Sequence, residues 1–215
     1  MINFQRLRES MVERQLIARG IRDPRVLDAM RKVPRHLFMN ESQWDRAYDD
    51  MALPVGKGQT ISQPYIVAIM TEYLDLTGGE KVLELGTGSG YQAAILAELS
   101  REVYTIERIA ALSGRAAEVI ESLGYQNLHF RVGDGTLGWP EESPFDRIMI
   151  TAGTPDIPGP LFEQLSEGGI IVAPVGDRFS QQLVRAKKQM GQISRQYSIP
   201  CVFVPLVGKH AWSTE

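Results

Sequence analysis

Two hydrophobic rhythms divide the chain. Up to about residue 75, apolar residues recur at helical spacing between polar stretches. Phe4, Leu7 and Met11 predict a helix over 3–19 with that face turned inward. Asp23-Pro24 predicts a second start, with aspartate as N-cap and proline in the first turn. Val26, Leu27 and Met30 then face inward, and Pro34 ends the helix. Residues 40–63 read as irregular, and Pro64 opens an apolar helix running to about Leu74.

From residue 81 the rhythm changes to short apolar runs alternating with helical stripes. Strands are predicted at 81–85, 102–106, 128–132, 146–151 and 169–174. Helices are predicted at 91–99, along the stripe Ile109, Leu112, Ala116, Val119, Ile120 and Leu123, and around 161–165. Beyond 180 the pattern is antiparallel: 182–187, a Met190-Gly191 turn, 193–197 and 202–206. Strand-helix alternation implies an α/β fold, a Rossmann-like, doubly wound, mostly parallel sheet with helices on both faces. The chain is read as one domain. Residues 1–75 are read as a helical N-terminal extension that includes a substrate loop at 56–64. Residues 80–175 form the ligand-binding core, and 180–215 form C-terminal antiparallel strands. Ligands in such sheets bind outside the carboxyl ends of the strands.

Composition narrows the function classes. The 215 residues are 43% hydrophobic and 23% charged, with a formal net charge of -3. That balance argues against a general nucleic-acid binder. The first forty residues are locally basic, nine Lys/Arg against four acids, which reads first as a solvated helical surface. Cys201, the one cysteine, sits in an apolar run as a small buried hydrophobe, and no thiolate metal cluster is possible. No metal site is expected. Neither a signal core nor a run approaching a membrane span is visible, so a soluble cytoplasmic protein is expected, without membrane or nucleic-acid partners and monomeric. No motif links His36, His129 or His210 to a nucleophile, and Ser89 lacks the G-x-S-x-G elbow of a serine hydrolase.

The candidate chemistry lies in V-L-E-L-G-T-G-S-G-Y-Q-A-A, residues 82–94. Gly86, Gly88 and Gly90, with Thr87 and Ser89 between them, let the backbone approach a ligand where the next helix presents its amides. A dinucleotide fingerprint would place Tyr91 at its third glycine, where a bulky ring opposes close packing. The G-x-G-x-G spacing instead resembles class I S-adenosylmethionine-dependent methyltransferases. With that cofactor, Glu107, followed by Arg108, can accept both ribose hydroxyls. Asp134, between Gly133 and Gly135, can accept from the adenine amino group, and Glu84 adds negative charge near a cationic ligand.

Further motifs extend the resemblance. They are G-Q-T-I-S-Q-P-Y (58–65), V-Y-T-I-E-R (103–108), G-D-G (133–135), P-F-D-R-I-M-I-T-A (144–152), Q-L-S-E-G-G (164–169) and V-P-L-V (204–207), with M-V-E-R-Q-L-I-A-R-G-I-R-D-P near the start. Together they resemble the protein-L-isoaspartate O-methyltransferases over nearly the whole length. The resemblance implies methyl transfer from S-adenosyl-L-methionine to the free α-carboxylate of L-isoaspartyl residues, and to the β-carboxylate of D-aspartyl residues. S-adenosyl-L-homocysteine is released, and the ester collapses to a succinimide. Damaged isoaspartyl-containing proteins and peptides are the implied substrates. The family's active-site serine falls on Ser62, with Thr60, Ile61 and Gln63 beside it and Val204, Pro205 and Leu206 lining the substrate.

Physical chemistry agrees with so plain a site. A carboxylate, with a pKa of about 4, is already an anion at neutral pH and needs no general base. It needs to be held in line, and a serine hydroxyl can hold it. Ser62 therefore reads as an orienting group, and the bland alternative is a cap on the helix after Pro64. Alternatives at this level are a methyltransferase acting on a small molecule or nucleic acid, and a non-catalytic cofactor-binding module. Against the nucleic-acid reading, T-A-G-T-P stands where an N-P-P-Y-like run would be.

Overall fold

The computed structural model describes residues 2–213. The first helical stretch forms, but in three pitches: α1 (Phe4–Met11), a π turn (Val12–Leu16) and a 3-10 turn (Ile17–Arg19) stopped by Gly20. The change of pitch turns the buried stripe toward Met11, Val12 and Leu16. Leu7, expected inside, is 36% exposed, and Phe4 instead stacks on the His36 ring at 3.9 Å between centroids. Helix α2 (Pro24–Lys32) starts as expected, with the Asp23 carboxylate accepting from the Arg25 amide, and it buries Val26, Leu27, Ala29 and Met30.

Residues 40–63 are more ordered than their polarity suggests. A 3-10 stretch (Glu41–Arg46) leads into an antiparallel hairpin, β1 (Leu53–Gly56) and β2 (Gln59–Ile61). Its turn holds Gly56, Lys57 and Gly58 at φ 98°, 54° and 71°, a left-handed run that two glycines make accessible. Leu53, Val55 and Ile61 anchor the hairpin in the core. Helix α3 (Pro64–Tyr73) follows at once.

The core then alternates as expected: β3 (Lys81–Leu85), α4 (Tyr91–Leu99), β4 (Glu102–Glu107), α5 (Ala110–Ser122), β5 (Leu128–Val132), β6 (Phe145–Ile150), α6 (Gly159–Gln164), β7 (Leu165–Gly176), β8 (Gln181–Gln189) and β9 (Gln192–Cys201). The sheet order is β5-β4-β3-β6-β7-β8-β9. Pairing is parallel from β5 through β7 and antiparallel from β7 through β9. Strand order reverses at β3, which lies between β4 and β6, so the crevice outside their carboxyl ends is the natural ligand site.

The expected strand at 202–206 does not form a ladder. The chain leaves the sheet after Cys201 and crosses to the end of β6, where the Gly153 amide donates to the Val204 carbonyl at 2.8 Å and the Leu206 amide to the Gly153 carbonyl at 2.7 Å. Alternation along the strands sorts the core into two layers. Val82, Val103, Met149 and Val172 meet the N-terminal helices, α3 and α4. Leu83, Leu85, Ile106, Ile148 and Ile171 face the other way, toward Leu161 and Leu165. No helix among the described residues is long and apolar enough to cross a membrane.

Candidate active site

The loop between β3 and α4 sits at the point where strand order reverses. Gly86, Gly88 and Gly90 have φ of 100°, 52° and 87°, conformations that side chains disfavour. Each does something different. The Gly86 amide donates to the Ile106 carbonyl at 2.8 Å, and Gly86 lies against the Thr151 hydroxyl with no room for a Cβ. The Gly88 amide donates to a carboxylate oxygen of Glu107 at 2.9 Å. Gly90, expected at the cofactor, serves packing: a Cβ there would come within 2.9 Å of the Ala116 methyl, so its bareness lets α4 approach α5. Ser89 accepts from the Tyr91 amide through its hydroxyl.

Glu107 ends β4 beside this loop and is buried. One carboxylate oxygen takes the Gly88 amide and the other the Ile109 amide, each at 2.9 Å. Both oxygens are thereby fixed, and each keeps acceptor capacity for a further hydroxyl. Glu107 lines two adjoining cavities, one with the glycine loop and one with Arg108, Gly135 and Pro205. A pinned diol acceptor beside a strand-to-helix glycine loop fits the ribose of the expected cofactor.

Two other acids depart from expectation. Glu84 does not reach the cavity. It shares a face with Thr105 beneath the loop, is 0% exposed, and accepts from the Thr105 hydroxyl at 2.6 Å. Thr105 in turn meets the Thr87 hydroxyl at 2.6 Å. Its other carboxylate oxygen has no partner among the described residues. Burial, reinforced by the charge of Glu107, pushes the Glu84 carboxyl up to about 8 despite the Thr105 hydrogen bond. Glu84 is therefore mostly neutral at pH 7 and tethers the loop rather than lending it charge. Asp134 holds the C-terminal segment. One oxygen accepts the Thr136 amide and hydroxyl, at 2.9 and 2.7 Å, and the other the Lys209 amide at 2.8 Å. Burial works against these hydrogen bonds, which still leave its pKa below the usual aspartate value. Asp134 and Gly133 line a separate cleft with Arg131 and Leu137.

A second cavity adjoins the glycine-loop cavity. Thr60, Ser62, Thr151, Phe203 and Val204 line both. They form the wall where a group held in one cavity meets a group held in the other. Ile61 faces only the first and Gln63 only the second. Pro205 and Leu206, expected at the substrate, instead border the Glu107–Arg108 cavity, because the crossing to Gly153 turns them to that side. Ser62 caps nothing. The N-cap of α3 is Gln63, and the Tyr65 amide that a capping side chain would serve already donates to Asp50 at 3.1 Å. The Ser62 hydroxyl has no hydrogen-bond partner among the described residues, and the residue lines both cavities.

Neither cavity is lined by a histidine, and among the described residues no cluster of His, Cys, Asp and Glu could hold a metal. Sequence reasoning missed Gln59, Thr151 and Phe203. Thr151 carried a usable signal, since it closes a core strand at its carboxyl end, where ligands sit. Gln59 lay inside the 58–65 motif, but a hairpin rather than its spacing turns it to the cavity, and Phe203 carried no signal, because a sheet exit places it.

The sequence model of the family described as protein-L-isoaspartate(D-aspartate) O-methyltransferase matches residues 6–211. Protein-L-isoaspartate O-methyltransferase 2 of Geotalea uraniireducens is 57% identical over 216 residues, covering 100% of each chain. Protein-L-isoaspartate O-methyltransferase 1 of Syntrophobacter fumaroxidans is 57% identical over 212 residues, covering 99% of each. A solved protein-L-isoaspartate O-methyltransferase superposes with TM-score 0.85 at 30% identity, over 95% of this chain and 67% of that one. A Plasmodium falciparum structure assigned to the same enzymes, in complex with S-adenosyl-L-homocysteine, gives 0.81 at 25% identity, over 96% and 99%.

Proposed function

The chain belongs to the protein-L-isoaspartate(D-aspartate) O-methyltransferase family, and from that premise we propose how its residues carry out the reaction. The enzyme is a protein-repair methyltransferase that moves a methyl group from S-adenosyl-L-methionine to the free α-carboxylate of L-isoaspartyl residues, and to the β-carboxylate of D-aspartyl residues. The observation that carries the site assignment is the shared wall: Ser62, with an unpartnered hydroxyl, lines both cavities.

When bound, the cofactor supplies an electrophilic methyl group on a cationic sulfur. Glu107, fixed by the Gly88 amide, would hold its ribose side, with Arg108 and Gly135 beside it. Gly86, Thr87 and Ser89 would allow the close backbone approach. The Ser62 hydroxyl donates to one oxygen of the substrate carboxylate and leaves the other aimed at the first cavity. That carboxylate is ionised at neutral pH, so no base is required, and no histidine stands near. Positioning of two bound reactants can account for ~7–11 kcal/mol of a barrier in favourable cases. Phe203 and Val204 belong to the same shared wall as Ser62 and shield the line of transfer from water. The reading takes the enzyme as cytoplasmic and monomeric, acting on damaged proteins and peptides, without nucleic-acid or membrane partners.

The test is methyl transfer from labelled cofactor to two peptides that differ only in an aspartyl or an isoaspartyl linkage. Label should appear on the isoaspartyl peptide alone. Equal labelling of both, or of neither, contradicts the reading.

A further inference from the structure

The cleft assigned to the substrate is bordered by Arg19, Ala52 and Gln63 and by the segment 199–204. Arg19 is the only residue among its lining that carries a charge at neutral pH. The N-terminal segment holds nine cations, but Arg25, Arg31 and Lys32 pair with Asp23, with Glu13 and Asp28, and with Glu98 on the protein's own surface. Arg19 alone reaches this cleft.

Its guanidinium is held in place from two sides. It lies over the Tyr65 ring, 3.5 Å from the centroid, and one terminal nitrogen bonds to Asp50. Asp50 is anchored in turn, since its other oxygen takes the Tyr65 amide at 3.1 Å. The anion of the pair does not line the cleft, and the cation does. The side chain is 43% exposed, and no hydrogen bond from its remaining N–H groups occurs among the described residues. A guanidinium has five donors in a fixed fork. Here the rest of that fork is unspent at the edge of the space a peptide would occupy, and the Tyr65 stack and the Asp50 bond together hold the group in place.

We propose that Arg19 is a specificity-determining residue that selects peptides with an acidic side chain close to the isoaspartyl residue. The inference rests on the cleft being the substrate site. A carboxylate from a neighbouring Glu or Asp meets the open edge of the guanidinium, while a Lys or Arg at the same position is repelled. The isoaspartyl carboxylate itself stays at Ser62, because pairing with a guanidinium would lower its nucleophilicity.

The experiment uses N-acetylated, C-amidated isoaspartyl peptides with Glu, Gln or Lys at each flanking position in turn, and measures kcat/KM. At one or more positions the wild type should favour Glu over Lys by about tenfold at low salt, the range expected of a partly exposed charge pair acting with opposite sign on the two peptides. The ratio should shrink in high salt, fall to near one in Arg19→Gln and persist in Arg19→Lys. The ratio is read within each variant, so a general loss of rate from a disturbed Asp50 does not enter. If Arg19→Gln does not fold, the wild-type ratios and their salt dependence, with Arg19→Lys, still decide. Equal rates for Glu, Gln and Lys peptides at every position overturn the proposal, as does a preference that survives in Arg19→Gln. The Gln peptide and its aspartyl twin separate the two levels. If the wild type does not tell them apart, the substrate reading fails. If it does and charge makes no difference, only the role of Arg19 falls.

Discussion

The hydroxyl of Thr151, at the end of β6, lies 2.6 Å from the Gly86 carbonyl and 2.8 Å from the Leu85 carbonyl, and a Cβ on Gly86 would come within 2.4 Å of it. One threonine thus fixes the exit of β3 into the glycine loop from the neighbouring strand. Its single proton is shared between the two carbonyls, so the contact sets the loop's position and blocks a side chain there.

Gly86→Ala therefore combines two penalties. The backbone φ of 100° is a strained conformation for alanine, at about 1–3 kcal/mol, and the clash with Thr151 adds to it. In a Thr151→Ala background the clash is relieved and the backbone strain remains. Chemical denaturation of the four proteins should show the double variant more stable than the sum of the single losses. Strict additivity would mean that the two residues do not share the contact.

Ser62→Ala should reduce kcat/KM for an isoaspartyl peptide about 10- to 100-fold, as expected for loss of a hydrogen bond to a charged group. Titration with S-adenosyl-L-homocysteine should give an unchanged dissociation constant. A fall in cofactor affinity as large as the fall in rate would place Ser62 in the wrong cavity. A covalent adduct on Ser62 during turnover would replace orientation with nucleophilic attack.

Glu107→Gln should give the reverse split. Both carboxylate oxygens accept backbone amides, from Gly88 and Ile109. A glutamine keeps one acceptor and turns an N–H₂ group against the other amide. Cofactor affinity should drop about 10- to 100-fold, with substrate KM little changed once cofactor saturates. Calorimetric titration alongside initial rates distinguishes this from a loss confined to the chemical step.

What the sequence makes legible follows from what is local. Alternating strands and helices, the glycine loop and Glu107 at a strand end are set by spacing within a few residues, and the fold keeps them where that spacing puts them. The departures come from geometry that spacing does not carry. Glu84 and Thr105 pair in register across β3 and β4 on the face covered by helices, so an acid beside a ligand loop becomes a buried tether. Residues 202–206 have a strand's composition, but Gln181 takes the Phe203 amide at 2.8 Å and Gly153 takes the rest of the segment. The chain there forms a wall between two cavities instead of a ladder. The β1–β2 hairpin was hidden because its turn is a run of left-handed residues inside a polar stretch.

The buried tether gives the last prediction its sign. The Glu84 carboxyl is pushed from 4.5 up to about 8 in the folded protein, chiefly by burial. Between pH 4.5 and 8 the unfolded chain releases this proton while the folded chain keeps it. Unfolding is therefore favoured progressively as pH rises through that window, and the effect levels off above it. At a little over 1 kcal/mol per unit of difference, the total is on the order of a few kcal/mol. Glu84→Gln cannot titrate. Its amide nitrogen takes the place of the carboxyl oxygen that has no partner, or displaces the Thr105 bond, so the variant should start less stable than wild type near pH 5. As pH rises toward 8 the wild type should lose this advantage, and the two stability curves should converge or cross. Comparing variant with wild type cancels the other titrating groups. A stability difference that stays constant from pH 5 to 8 would mean that Glu84 is ionised in the folded protein. It would then stand as a buried anion beneath the loop, and its neutral tether to Thr105 and Thr87 would have to be abandoned.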